Sequence, residues 1–312
     1  EYMQPTTTID SDSPIIKKKA LELAQGEDDL YAVMVKVADF VQGTVVYDLN
    51  SLTEKASQKA SWVLENKQGV CDEMTSLFIA MMRSLGVPAR FVFGVSYTTS
   101  PLFSEPWQPH GWAEVYFPDK GWVPVDIAFG QFGYVDATHI KLFVGADPTE
   151  DVVHYEWTGL GVTLKETPSK FIVRVKNVGH ALDDTVLLSV SPLVSKVGLG
   201  SYNRIEVTAT NMESGYAART FQLGVPPEVE VIGSKTRSVL VEPHKEAKVS
   251  FVVKVPETLD SLYTYTFPIT VVSERNTTAR SLFTAQKGLT RFSYKEVGES
   301  GKLANSKQFL IV

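Results

Sequence analysis

The chain has 312 residues, 44% of them hydrophobic and 11% aromatic, with a formal net charge of −6. That composition supplies a large core and excludes gross disorder, while the acidic balance and the lack of a basic run of five or more argue against a nucleic-acid partner. A single cysteine excludes an internal disulfide, and no apolar run approaches the roughly 18 residues of a membrane span.

The length fits about two domains, and the chain is written in two grammars. Up to residue 155 the pattern is mixed. Ser13, Pro14 and Gly26 sit where an N-cap, a first helical residue and a C-terminal stop belong, which predicts a helix over "PIIKKKALELAQ". Leu30, Met34, Val37 and Val41 recur at helical spacing and predict a second, ending at Gly43. "SLTE" at 51–54 reads as a capping box opening a third helix that runs to Gly69. The fourth starts at Cys71, carries an apolar stripe of Met74, Phe78, Met81, Met82 and Leu85, and stops at Gly86 and Pro88. Strands follow in "ARFVFGVSY", "GWAEVYF" and "GWVPVDIAF".

From 156 to 312 the helices vanish. "KFIVRVKN", "TVLLSVS", "YNRIEVTATN", "KVSFVVKVP", "TYTFPITVV" and "RSLFTA" alternate apolar and polar residues, with Pro, Gly and Asn between them. This is the pattern of an antiparallel, immunoglobulin-like β-sandwich, as one sandwich or two.

Cys71 is the one thiol, and a lone cysteine reads first as buried core. Three features favour a nucleophile. A helix N-terminus stabilises a thiolate, although Asp72 and Glu73 oppose that locally. His110 follows in "HGWAEVYF". Asp126 lies 16 positions further on, inside an apolar strand where a carboxylate needs a partner. Thiol, imidazole and carboxylate in that order are a nucleophile, a base and a group that orients the base.

Three blocks then make the reading specific. Gly69-Val70-Cys71 opens a helix that ends in Arg83-Ser84-Leu85-Gly86-Val87-Pro88-Ala89-Arg90; His110-Gly111-Trp112 and Gly121-Trp122 through Asp126 follow. Together, over about residues 40–130, they resemble the core of the transglutaminase-like superfamily. The resemblance implies an α+β fold: a papain-like transglutaminase core at 1–155, followed by the all-β immunoglobulin-like sandwich region at 156–312. It implies Cys71 as nucleophile, His110 as base and acid, and Asp126 as orienter. Some transglutaminases need calcium, but this sequence shows no Asp/Asn-rich loop or Cys/His set that calls for a metal, and no cofactor is expected. Ile127-Ala128 departs from the Pro-Thr common at that point in the family, which touches the loop and leaves the three residues standing. Gln68, Trp62 and Tyr47 are candidates for the oxyanion side chain, beside the Cys71 N–H.

Such a site attacks a peptide or glutamine-type amide in a protein or peptide substrate. Hydrolysis by a cysteine peptidase or amidase is the expected outcome, cross-linking to an amine the alternative. A cell-surface adhesion module with a vestigial catalytic half is the reading from a different class. An extracellular or cell-surface location is expected, with the cytoplasm left open; the sequence does not give the oligomeric state.

The strands carrying His110 and Asp126 also predict their own register. Ala113, Val115, Phe117, Val123, Val125 and Ile127 are all odd and apolar, so opposed positions must share parity to share a face. A three-residue loop, Pro118–Lys120, pairs Phe117 with Gly121 and puts His110 and Asp126 on one face as diagonal neighbours. A two-residue turn would separate them.

Overall fold

The computed structural model describes residues 1–48, 58–101, 103–150, 172–177, 179 and 184–298. The chain divides into two compact units, Glu1–Leu182 and Asp183–Val312. The junction predicted at 155/156 lies outside the described residues.

In the first unit, α1 (Pro14–Ala24), α2 (Leu30–Thr44), α3 (Ala60–Asn66) and α4 (Cys71–Ser84) pack beside a five-stranded antiparallel sheet. The cap predicted at Ser13 occupies its position but its hydroxyl makes no capping bond. Asp29 does cap α2, accepting from the N–H groups of Tyr31 and Ala32 at 2.7 and 3.1 Å. That helix runs through Gly43. The capping box predicted at 51–54 lies outside the described residues, and α3 is seen only from Ala60.

Helix α4 is buried on nearly every face, with Leu77, Phe78, Ile79, Ala80, Met81 and Met82 all 0% exposed. A helix apolar all round belongs at the centre of its unit. Arg83 ends it as a buried clamp. Its guanidinium donates to the carbonyls of Ala89, Gln4 and Ala146 at 2.9, 2.9 and 2.8 Å, and so ties three distant segments together.

The sheet comprises β3 (Ala89–Tyr97), β4 (Trp107–Phe117), β5 (Gly121–Asp126), β6 (Gln131–Phe132) and β7 (His139–Gly145), in the order β6-β5-β4-β3-β7. A two-stranded parallel pair, β1 (Val46–Tyr47) with β2 (Gln68–Gly69), sets Tyr47 opposite Gly69, two residues before Cys71.

In the second unit, β8 (Val186–Pro192), β10 (Tyr202–Asn211), β12 (Glu230–Ile232) and β14 (Glu246–Lys254) form one sheet. The other holds β9 (Lys196–Val197), β11 (Ala217–Gly224), β13 (Thr236–Val241), β15 (Tyr265–Ser273) and β16 (Thr278–Ala285). Val207, Phe221, Phe251, Ile269 and Phe283 fill the core of this β-sandwich. The alternating segment 170–177 predicted a further strand. Residues 172–177 form none, and Ile172 and Val175 stand 73% and 61% exposed, because alternation without a partner strand has nothing to pair with. Nor is the unit free of helix: a short α5 spans Tyr294–Gly298.

Candidate active site

Glu73 holds the start of α4. Its carboxylate accepts the N–H of Val70 at 3.0 Å and that of Gln58 at 3.2 Å, giving the helix an N-terminal cap that a valine could not supply. Cys71 is the next residue, half-buried.

Among the described residues, Asp72, Gly111 and Tyr47 lie against the sulfur. The thiol donates to Asp72 Oδ1 at 3.5 Å. The N–H of Gly111, on β4, donates to Sγ. Tyr47 bonds Cys71 twice, to the thiol and to the backbone N–H. Among the three oxyanion candidates, Tyr47 is thus placed against the sulfur.

Gly111 is where the helix meets the sheet. Its carbonyl accepts from Thr75 Oγ1 at 3.2 Å. A Cβ there would strike the Phe91 ring and come within 2.7 Å of Asp72 Oδ1. The close approach of α4 to β4 needs a residue with no side chain at this point.

The β4–β5 hairpin has the predicted register: Phe117 pairs with Gly121, Tyr116 with Trp122 and Ala113 with Val125. Gly121 adopts φ +77° at the end of the three-residue loop, a left-handed conformation that costs glycine little. His110 and Asp126 consequently share a face, and His110 Nε2 lies 2.6 Å from Asp126 Oδ2. Both are buried, at 8% and 1% exposure. With Nε2 committed to the carboxylate, Nδ1 is the ring nitrogen left for other work.

A second histidine shares that carboxylate. His139 Nε2 is 2.8 Å from the same Asp126 Oδ2, and its Nδ1 is 3.1 Å from Asp136 Oδ1. Asp126 Oδ1 accepts the Phe129 N–H at 2.9 Å, so the buried carboxylate is satisfied on both oxygens. Trp112 packs against both imidazoles, with ring centroids at 6.0 and 5.3 Å. His139 lies in "DATHIKLFVG" with no motif around it, so spacing and pattern single out His110 and not this second histidine.

The electrostatics divide the site. Burial pushes the Cys71 thiol well above its ordinary range and Asp72 adds to this, against the Gly111 N–H. The thiol is therefore neutral at rest, and the lowering expected from a helix N-terminus does not prevail. Burial also raises Asp72 and Tyr47. Asp126 goes the other way: burial would raise it, but His110 and His139 together hold it well below the usual carboxylate range. Burial would lower His139, yet its bonds to Asp126 and Asp136 lift it to about 9.

His110, Asp126 and His139 offer donor atoms within 4.8 Å of one another, near enough to meet at a cation. Those atoms already bond each other at hydrogen-bond lengths, so the arrangement is accounted for as a bonded relay.

Residues 17–127 match the family model of the transglutaminase-like superfamily. The matched residues all lie in the first unit of the chain and include Cys71, His110 and Asp126. The chain is 28% identical over 124 residues to the uncharacterized protein YebA of Bacillus subtilis, a match covering 35% of this chain but only 16% of that protein. A solved Cytophaga hutchinsonii chain described as a candidate cysteine protease is 22% identical, with 48% of each chain covered and a TM-score of 0.41. A CARDB domain from Pyrococcus furiosus is 12% identical, covering 33% of this chain and 94% of that one, with a TM-score of 0.26.

Proposed function

We propose that the first unit is a thiol-dependent acyl-transfer enzyme, hydrolysing peptide or glutamine-type amides through a thioester on Cys71. The observation that carries this is the His110–Asp126 pair at 2.6 Å, on a hairpin whose Gly111 donates to the Cys71 sulfur. The family match of residues 17–127 supports it.

The steps follow from the proton positions. His110, holding its Nε2–H on Asp126, takes the thiol proton at Nδ1 as the sulfur attacks the carbonyl carbon. Asp126 keeps the ring in that tautomer and stabilises the imidazolium that forms. The carbonyl oxygen becomes an oxyanion. The Cys71 N–H and the Tyr47 hydroxyl, which bond one another at rest, are the donors proposed to receive it. The imidazolium then gives its proton to the leaving amine, the C–N bond breaks, and a thioester remains. Water attacks that thioester, its proton passing to Nδ1, and an acid and the free thiol are released. An amine in place of water would give cross-linking instead.

Incubation with casein and a labelled primary amine separates the two outcomes. Cleavage without incorporation is expected, and the cleavage should vanish in Cys71→Ala. Turnover that survives in Cys71→Ala would overturn the thiol mechanism.

A further inference from the structure

The carboxylate that orients His110 also serves a second imidazole. Both nitrogens of His139 point at carboxylate oxygens, Nε2 at Asp126 and Nδ1 at Asp136. A carboxylate can only accept, so each nitrogen must carry a hydrogen, and a ring with two N–H groups is a cation. The side chain is 0% exposed. A buried cation has to be paired, and here it is paired on both sides.

We propose that His139 is a lasting imidazolium that acts as a positioning residue for the His110–Asp126 pair, fixing the carboxylate and restraining the basicity of His110. The inference rests on the acyl-transfer reading for its catalytic meaning, though not for its chemistry. Oδ2 of Asp126 is shared between the two rings at 2.6 and 2.8 Å. Its negative charge is already half engaged by His139 when His110 takes up a proton. A neighbouring cation disfavours a second one. His110 can then accept the thiol proton and still release it to a leaving amine, whereas Asp126 alone would hold that proton more tightly.

Among the described residues, few charged groups face His139. Asp126 from the end of β5 and Asp136 from the turn before β7 face His139 directly. His110 lies across from it with ring centroids 5.6 Å apart, and the Thr138 hydroxyl is 3.5 Å from its Nδ1. The remaining ring neighbours, Trp112 and Phe129, are uncharged in this setting. Asp72 of α4 acts on His110 from the thiol side. Asp136 is itself held by Gln131, whose side-chain amide donates to it at 2.7 Å and accepts its N–H at 2.8 Å. The outer carboxylate is therefore also fixed in place.

Histidine-labelled protein read by nitrogen-15 NMR tests this, with five histidines to assign. At pH 7.5 both His139 nitrogens are expected to be protonated, and His139→Gln should move the His110 midpoint up by about one pH unit. The more exposed Asp136→Asn is the second variant, should the first fail to fold. It keeps an acceptor for Nδ1–H but removes the charge, and the His139 midpoint should fall. A neutral His139 at pH 7.5 overturns the proposal. So does an unmoved His110 midpoint in folded His139→Gln, which is what a merely structural role predicts. The titrations read equally in Cys71→Ala, so a wild type that shows no acyl transfer would count against the thiol mechanism and not against His139.

Discussion

Asp126 is ionised with its carboxylate 1% exposed, a state tolerable only because three N–H groups point at it. Its depressed pKa and the raised pKa of His139 both stabilise the fold, with opposite pH dependence. Asp126 binds a proton more readily when unfolded, so its contribution is present above about pH 4 and is lost as the pH falls below that. His139 holds its proton more tightly when folded. Its contribution is complete below the unfolded value near 6.5 and is lost as the pH rises through about 9. The difference is roughly 3 kcal/mol, an upper figure for one buried group. Denaturant unfolding of the wild type at pH 6 and pH 9.5 should show a loss of that order, and His139→Gln should show much less of it. Equal slopes in the two proteins would mean that His139 titrates alike folded and unfolded.

At the scale of elements, the site is a junction between the first turn of α4 and the middle of β4. Gly111 makes that junction possible: its N–H meets the sulfur, its carbonyl meets Thr75, and no side chain intervenes. Gly111→Ala places a methyl group against the Phe91 ring and Asp72. Either the helix start or the strand must shift. We expect a stability loss of about 1–3 kcal/mol, the usual range for overpacking, and a clear fall in the rate of Cys71 alkylation at fixed pH. A fully stable variant with the wild-type alkylation rate would show that α4 and β4 are less tightly apposed than these distances imply. Gly121 does comparable work at the loop, where its positive φ delivers the register that puts His110 and Asp126 on one face.

At the scale of the whole molecule, side-chain bonds tie the start of the first unit to the residues just after β7. Asp147 accepts from Thr8 N and Thr8 Oγ1 at 2.9 and 2.8 Å, joining the end of the sheet to the start of the chain. Arg83 fastens the same region through Ala146. The proposed domain 1–155 contains all of these bonds and every residue of the candidate site. A chain of residues 1–155 should be soluble, unfold cooperatively and retain the thiol reactivity of the full protein. Aggregation, or a folded fragment with an unreactive thiol, would mean that later residues complete the core or the cleft.

The sequence by itself determined the elements whose causes are local. The helix opening at Cys71 follows from an apolar stripe ended by Gly86 and Pro88, and the hairpin register follows from alternation at period two and a glycine where the loop must turn. His110 and Asp126 were legible for that reason, being joined by a single short loop that fixes their relation. The third helix and the extra strand at 170–177 were less so, because helix limits and strand formation depend on partners that pattern does not name. Only the tertiary structure decided the rest. Tyr47 reaches Cys71 because two short strands pair in parallel across some twenty residues, and no local spacing reports that pairing. His139 sits on β7, at the far side of β3 from the hairpin in strand order, and its meeting with Asp126 arises from the way the sheet brings side chains over one face. Its charge is likewise a property of position: an imidazole titrates near neutrality in water, and it is two carboxylates, one from each side of a buried ring, that make it a cation.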